Sequence, residues 1–131
     1  MYINQEIGKQ GEIVACRYLQ ERGYKILTRN FKCKQGEVDI IAWDENADEL
    51  VFIEVKTRTS SKYGMPADAV NEVKQKHIYR SAEYYVYRNR IKNVSIRLDI
   101  IEIHVYESRF YINHIKQAFE KRQKDASRSY F

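Results

Sequence analysis

Gly36-Glu37-Val38-Asp39-Ile40-Ile41-Ala42-Trp43 and, after the polar turn Asp44-Glu45-Asn46-Ala47-Asp48, Leu50-Val51-Phe52-Ile53-Glu54-Val55-Lys56 decide the fold. Both runs are rich in β-branched and aromatic residues, and a short polar connector joins them, so they read as two strands of an antiparallel hairpin. Strand side chains alternate with period two. Glu37, Asp39, Ile41 and Trp43 therefore share one face of the first strand, and Leu50, Phe52, Glu54 and Lys56 one face of the second. One register of the hairpin brings Asp39 beside Glu54 and Lys56. The runs are apolar almost throughout, which is the pattern of strands covered on both faces.

Outward from the hairpin, Glu6 to Arg22 places Ile7, Gly11, Ala15, Tyr18 and Leu19 at helical spacing, and Gly23 supplies a stop. Tyr24 to Asn30 reads as a strand with Tyr24, Ile26 and Thr28 on one face. Beyond the hairpin, Thr57 to Tyr63 reads as a polar, basic loop. Pro66, with Asp68 in the first turn, opens a long helix whose apolar stripe is Val70, Val73, Ile78, Ala82 and Tyr85. Val94 to Val105 is a further strand, Phe110-Tyr111-Ile112 a short edge strand, and Ile115, Ala118 and Phe119 the buried side of a last helical turn. The order predicts an α/β domain with a central mixed β-sheet flanked by helices. Residues 1–119 make one domain. Residues 120–131 form a basic tail with the composition of a flexible end that adds either non-specific affinity for polyanions or solubility.

The whole chain has 131 residues, 44% of them hydrophobic, enough for one core, and a formal net charge of +5 that favours a polyanionic partner. Cys16 and Cys33 are too few and too far apart for a disulfide framework or a zinc knuckle. Neither a signal-peptide pattern nor a run approaching ~20 apolar residues is present. The expectation is a soluble, cytoplasmic protein with no membrane segment.

A carboxylate among apolar neighbours costs several kcal/mol unless something compensates it. Asp39 and Glu54 converging with Lys56 are a donor set for a hard divalent cation such as Mg²⁺. A cation held there would polarise a phosphate oxygen and acidify water, and a nearby ammonium would orient that water or balance transition-state charge. The competing reading is structural. Glu-x-Lys on a strand is commonly a solvated face, and Asp39 with Lys56 makes a salt bridge without metal. The apolar flanks around both acids and the preceding Gly36-Glu37-x-Asp39 shift the balance towards a site.

Gly36-Glu37-Val38-Asp39-Ile40-Ile41 with Phe52-Ile53-Glu54-Val55-Lys56-Thr57-Arg58 resembles the core signature of the YraN-like bacterial proteins. These are described as predicted endonucleases related to archaeal Holliday-junction resolvases, within the PD-(D/E)xK restriction-endonuclease-like fold. The resemblance runs from Gly8 to Phe119. It takes in Gly11-Glu12, Ala15, Tyr18-Leu19, Gly23-Tyr24 and Asn30, then Tyr63-Gly64-x-Pro66 and Lys74-Gln75, then Arg97-Leu98-Asp99-Ile100 and His114-Ile115. Leu98 stands where the family pattern carries an aromatic.

The resemblance implies a restriction-endonuclease-like core acting on DNA, with branched or junction DNA as substrate. It implies Mg²⁺ as cofactor, with Mn²⁺ as substitute, and a homodimer as partner arrangement. Asp39 and Glu54 would be metal ligands, Lys56 the catalytic lysine and Glu12 a helix-borne acid completing the site. The alternative is a nucleic-acid-binding module that keeps the fold without hydrolysis.

Other candidates carry two readings each. Glu37 is an outer acid of the site or a surface partner of Arg29 or Lys34. Gln75 faces the site or solubilises its helix. Asp99 lies near the site or pairs with Arg97. Arg58, Lys62 and Lys74, together with Lys76, Arg80, Arg88 and Arg90, form a phosphate-binding rim or a solvated basic face. Tyr85 belongs to the core stripe, so the run Tyr79, Tyr84, Tyr85, Tyr87 is not read as a stacking platform. His77, His104 and His114 lack ligand spacing and are assigned no role.

Overall fold

The computed structural model describes residues 5–59 and 72–118. Their elements are α1 (Gln5–Glu21), β1 (Tyr24–Cys33), β2 (Gly36–Asp44), β3 (Glu49–Thr59), α2 (Glu72–Arg88), β4 (Ser95–Tyr106) and β5 (Arg109–Ile115). The strands form a single five-stranded sheet in the order β1-β2-β3-β4-β5. β3 and β4 run parallel, and the other three pairings are antiparallel. A parallel pair needs a crossover, and α2 lies within that connection. The mixed sheet flanked by helices is the architecture expected of the sequence.

Each face of the sheet buries its own cluster. On one face Ala15 and Leu19 of α1 meet Ile40, Ala42, Val51, Ile53, Ile101 and Ile103. On the other Ile78, Ala82 and Val86 of α2 meet Val38, Ile41, Leu50, Phe52 and Leu98. Phe52 is fully buried and touches Tyr85 edge-on, ring centroids 5.8 Å apart. Burial of such a side chain contributes roughly 1.5–3 kcal/mol. Leu98, in the position of the family's aromatic, fills part of this cluster.

Several expectations are corrected. β3 continues through Thr59, so Thr57, Arg58 and Thr59 are strand rather than loop, paired in parallel with Ile103, His104 and Val105. Val73 is 62% exposed and takes no part in the apolar stripe of α2. Ile115 is not on a helical turn: it ends β5 opposite Ile100, and the Ala118 N–H bonds the Leu98 carbonyl. An apolar residue in a strand-to-turn junction satisfies either pattern, and the free edge of β4 decided which. Pro66, Val70, Phe119 and the basic tail lie outside the described residues.

The buried polar core of the sheet centres on Arg97. Its guanidinium donates to Asp44, Glu49, Asp99 and the Tyr24 hydroxyl, at 2.6–3.2 Å. The starts of β1, β3 and β4 and the end of β2 are thereby tied to one fork. The reading of Asp99 as a partner of Arg97 holds. Asp99 also accepts the Gln117 N–H and bonds His114 Nε2 at 2.7 Å, and Tyr18 Oη bonds the other ring nitrogen.

Candidate active site

The β2–β3 ladder is regular from Asp44↔Glu49 to Ile40↔Ile53 and then stops. The next pair would be Asp39 and Glu54. Instead of the ladder bond, the Val55 N–H donates to Asp39 Oδ2 at 2.7 Å. A side chain thus replaces the main chain at the point where the strands part. Val38 and Ile41, three residues apart, both pack against α2, so the alternation of β2 breaks at Asp39. Across on β1, Asn30 takes a left-handed φ of 53° within the strand. The face assignment expected for Ile41 and Trp43 holds, but Asp39 is turned by this kink.

Asp39 and Glu54 lie side by side. Burial raises the pKa of Asp39, against the pull of the Val55 N–H, Glu54 and the charge of Lys74. Burial and then the charge of Asp39 push Glu54 up to about 7, with Lys74 and Lys56 opposing. Two carboxylates in a poorly hydrated site cannot both ionise without a counter-charge. Lys74 Nζ stands 3.5 Å from Glu54 Oε2. The residue expected on a phosphate-binding rim is therefore part of the carboxylate cluster.

Glu12 reaches the same cluster from α1. Its pKa is raised by burial and then by the charge of Asp39, while Arg29 and an Asn30 hydrogen bond pull it down. Gly11 makes this approach possible, because a Cβ there would collide with Thr57 Oγ1. A helix bearing alanine at that place would stand farther from β3. Glu37 is exposed, opposite Lys32 on β1, and its charge still raises both Asp39 and Glu12. Gln75 is half-buried on α2 next to Lys74, and Arg58 is half-buried on β3 with His104 as its register partner. Lys62 lies outside the described residues. Asp99 belongs to the Arg97 cluster.

The donor set suits a hard cation, being carboxylate oxygen with no thiolate. Burial drives its two central acids towards protonation, and the nearby lysines only partly oppose it. Among the described residues no three His, Cys, Asp or Glu side chains are arranged to enclose a metal. A cation at Asp39 and Glu54 would keep water for most of its shell, as Mg²⁺ does.

Residues 11–103 match the family model described as "Uncharacterised protein family UPF0102". The chain belongs to the UPF0102 family. A UPF0102 protein of Caldicellulosiruptor saccharolyticus is 48% identical over 88% of this chain and 98% of its own length. One of Clostridioides difficile is 47% identical over the same shares, and one of Clostridium botulinum 46% over 91% and 98%. The YraN-like resemblance read from the motifs is borne out by this membership. Among solved structures the chain is similar to SfsA of Pyrococcus furiosus in complex with Ca²⁺, at 16% identity and a TM-score of 0.38, covering 86% of this chain and 63% of that one. No helix among the described residues is long and apolar enough to cross a membrane.

The UPF0102 match spans the kink, both carboxylates, Lys56, Lys74 and Glu12. The sequence offered Lys74 as a rim cation around the site or a solvated helix residue; its direct contact with Glu54 was not legible there.

Proposed function

We propose that this UPF0102 protein is a metal-dependent endonuclease that hydrolyses phosphodiester bonds in DNA. The observation that carries the reading is the Asp39–Glu54 pair, set where β2 and β3 part and short of positive charge. Asp39 and Glu54 would hold Mg²⁺, or Mn²⁺ in its place. The cation supplies positive charge against the scissile phosphate and acidifies water.

The chain's own residues supply the rest. Asp39 is fixed through Oδ2 by the Val55 N–H, so its orientation does not depend on the ligand. Glu54 would turn from Lys74 to hold the cation, leaving the Lys74 ammonium to meet a phosphate oxygen. Lys56, two residues on from Glu54 along β3, orients the attacking water and balances charge on the pentavalent phosphorus. Water adds to phosphorus and loses a proton to solvent, one P–O ester bond breaks, and the departing alkoxide takes a proton back from solvent. Glu12 holds a proton or a water at the α1 side of the cluster. Family resemblance points to branched or junction DNA, and paired cuts on such a substrate call for a homodimer.

The Lys74–Glu54 contact also supports a second reading, in which the lysine permanently neutralises the site and the domain only binds nucleic acid. Cleavage of linear, single-stranded and four-way-junction DNA with Mg²⁺ or Mn²⁺ decides between them. Activity that vanishes in Glu54→Ala supports the endonuclease. Binding without cleavage, unaffected by Asp39→Ala, supports the second reading.

A further inference from the structure

α2 has a second face that the carboxylate cluster does not use. The helix buries Ile78, Ser81, Ala82 and Val86 against the sheet. At 3.6 residues per turn, Val73, Lys76, His77, Arg80, Tyr84, Tyr87 and Arg88 fall within roughly 120° of arc on the opposite side. All but the half-buried Tyr84 are exposed, Tyr87 to 81%. No carboxylate lies within that arc, because Glu72 and Glu83 sit together on one flank of it. Among the described residues Lys76, Arg80 and Arg88 have no acid within 4.0 Å, the ion pairs of α2 being confined to Lys74. Arg88 Nη1 instead bonds Tyr84 Oη at 3.3 Å, which aligns the last two members of the ridge.

Lys76, Arg80, Tyr84 and Arg88 follow one another at four-residue intervals, each about 6 Å farther along the axis. We infer that this face is a track for the DNA phosphate backbone, beginning on the same turn of α2 that carries Lys74 beside Glu54. The inference rests on the endonuclease reading for the identity of the polyanion. Three observations favour nucleic acid as the occupant. Among the described residues no acid pairs with these cations, and a polyanion bound along them would be held by phosphate contacts that displace counterions. Tyr84 and Tyr87 offer phenols that pack on sugars and donate to phosphate oxygens. Val73 is the only aliphatic side chain within the arc, whereas a helix that lies in a membrane interface needs an apolar face. Lys76, the first member of the ridge, lies two residues along α2 from Lys74, which pairs with Glu54.

The test is fluorescence anisotropy with a labelled 30-base-pair duplex in EDTA, where nothing is cleaved, titrated at several salt concentrations. The variant Lys76→Ala/Arg80→Ala/Arg88→Ala is compared with Lys25→Ala/Lys92→Ala/Arg109→Ala, which removes the same charge from exposed positions elsewhere. Each phosphate contact contributes about 0.9 to the slope of log K against log salt. The track variant should lower the slope by roughly 2–3 and weaken binding on the order of 10²-fold near physiological salt. The control should change either quantity little. An unchanged slope, or an equal loss in the control, overturns the inference. So does binding to phosphatidylserine vesicles that the track variant abolishes while duplex binding persists. The two readings separate cleanly. Wild-type protein that cleaves DNA while the track variant keeps its slope sinks the track alone. Wild-type protein that shows the track dependence but never cleaves with Mg²⁺ sinks the endonuclease alone.

Discussion

Replacing Glu54 by glutamine separates a metal site from a structural salt bridge, because the two predict opposite changes in stability. In the folded protein without metal Glu54 titrates at about 7, against a value of 4.5 for an ordinary glutamate. A folded-state value raised in this way favours the protonated form. Below the unfolded value both states carry the proton and no penalty exists. As pH rises through the window from 4.5 to about 7 the folded protein loses stability, and above it the loss is complete. The shift corresponds to about 3 kcal/mol at most. Because the burden is shared with Asp39, we expect relief of about 1–3 kcal/mol on neutralising Glu54. Glutamine keeps the volume, and its amide donates to Asp39. For a domain of this size the gain is on the order of 5–10 °C in Tm. Thermal unfolding in EDTA should thus show Glu54→Gln more stable than wild type at pH 8, and equal to it at pH 4. Adding Mg²⁺ at pH 8 should raise the wild-type Tm by ligand linkage and raise that of the variant less. A variant that is less stable than wild type at pH 8 in EDTA would refute the reasoning. It would mean that the Lys74 contact outweighs the crowding of the carboxylates, and that the pair is structural.

Arg97→Lys should destabilise by about 3–5 kcal/mol in urea titrations despite keeping the charge, since one ammonium cannot reach the partners of a buried fork. Asp99 is held below its ordinary value, its burial outweighed by His114, Arg97 and the Gln117 N–H. Asp44 is likewise held down, by the Ala47 N–H and Arg97. Their contribution is present above the unfolded values near 4 and lost as pH falls through the lower folded ones. Asp99→Asn should therefore flatten the acid limb of a plot of urea midpoint against pH. Gly11→Ala should cost about 1–3 kcal/mol through its clash with Thr57 Oγ1, read by thermal unfolding. The displacement of Glu12 should lower DNA cleavage beyond what lost folding explains.

The sheet was legible because its strands are long and nearly all apolar. Leu50 to Val55 cannot be solvated on either face, which forces helices onto both, and Ala15, Leu19, Ile78 and Ala82 supply them. The pairing of Asp39 with Glu54 followed from the same two strands. What the period-two pattern could not show is where it fails. Asn30 in left-handed conformation, the turn of Asp39 out of alternation and the close approach at Gly11 are backbone events with no periodic signature. Lys74, read as a rim cation around the site or a solvated one, is a related case: helical spacing does not show the Glu54 carboxylate on β3 that it approaches.

These three backbone events fall at one place, and that coincidence is the strongest structural argument for a site. A sheet gains from continuing its ladder, yet β2 and β3 give up their main-chain bond one residue beyond Ile40↔Ile53 and spend a carboxylate on the Val55 N–H instead. Asp39 is half-buried, beside a second acid whose pKa its charge raises, and near a helix brought close by a glycine. Burial is unfavourable for both ionised carboxylates, and the charge of Asp39 adds to the burden on Glu54, a combination that marks a candidate site. Lys74 opposes the shifts of both Glu54 and Asp39, and Arg29 that of Glu12, yet all three stay raised. On the endonuclease reading, a divalent cation at Asp39 and Glu54 would supply the positive charge that opposes these shifts, and the basic ridge of α2 would hold the phosphate backbone.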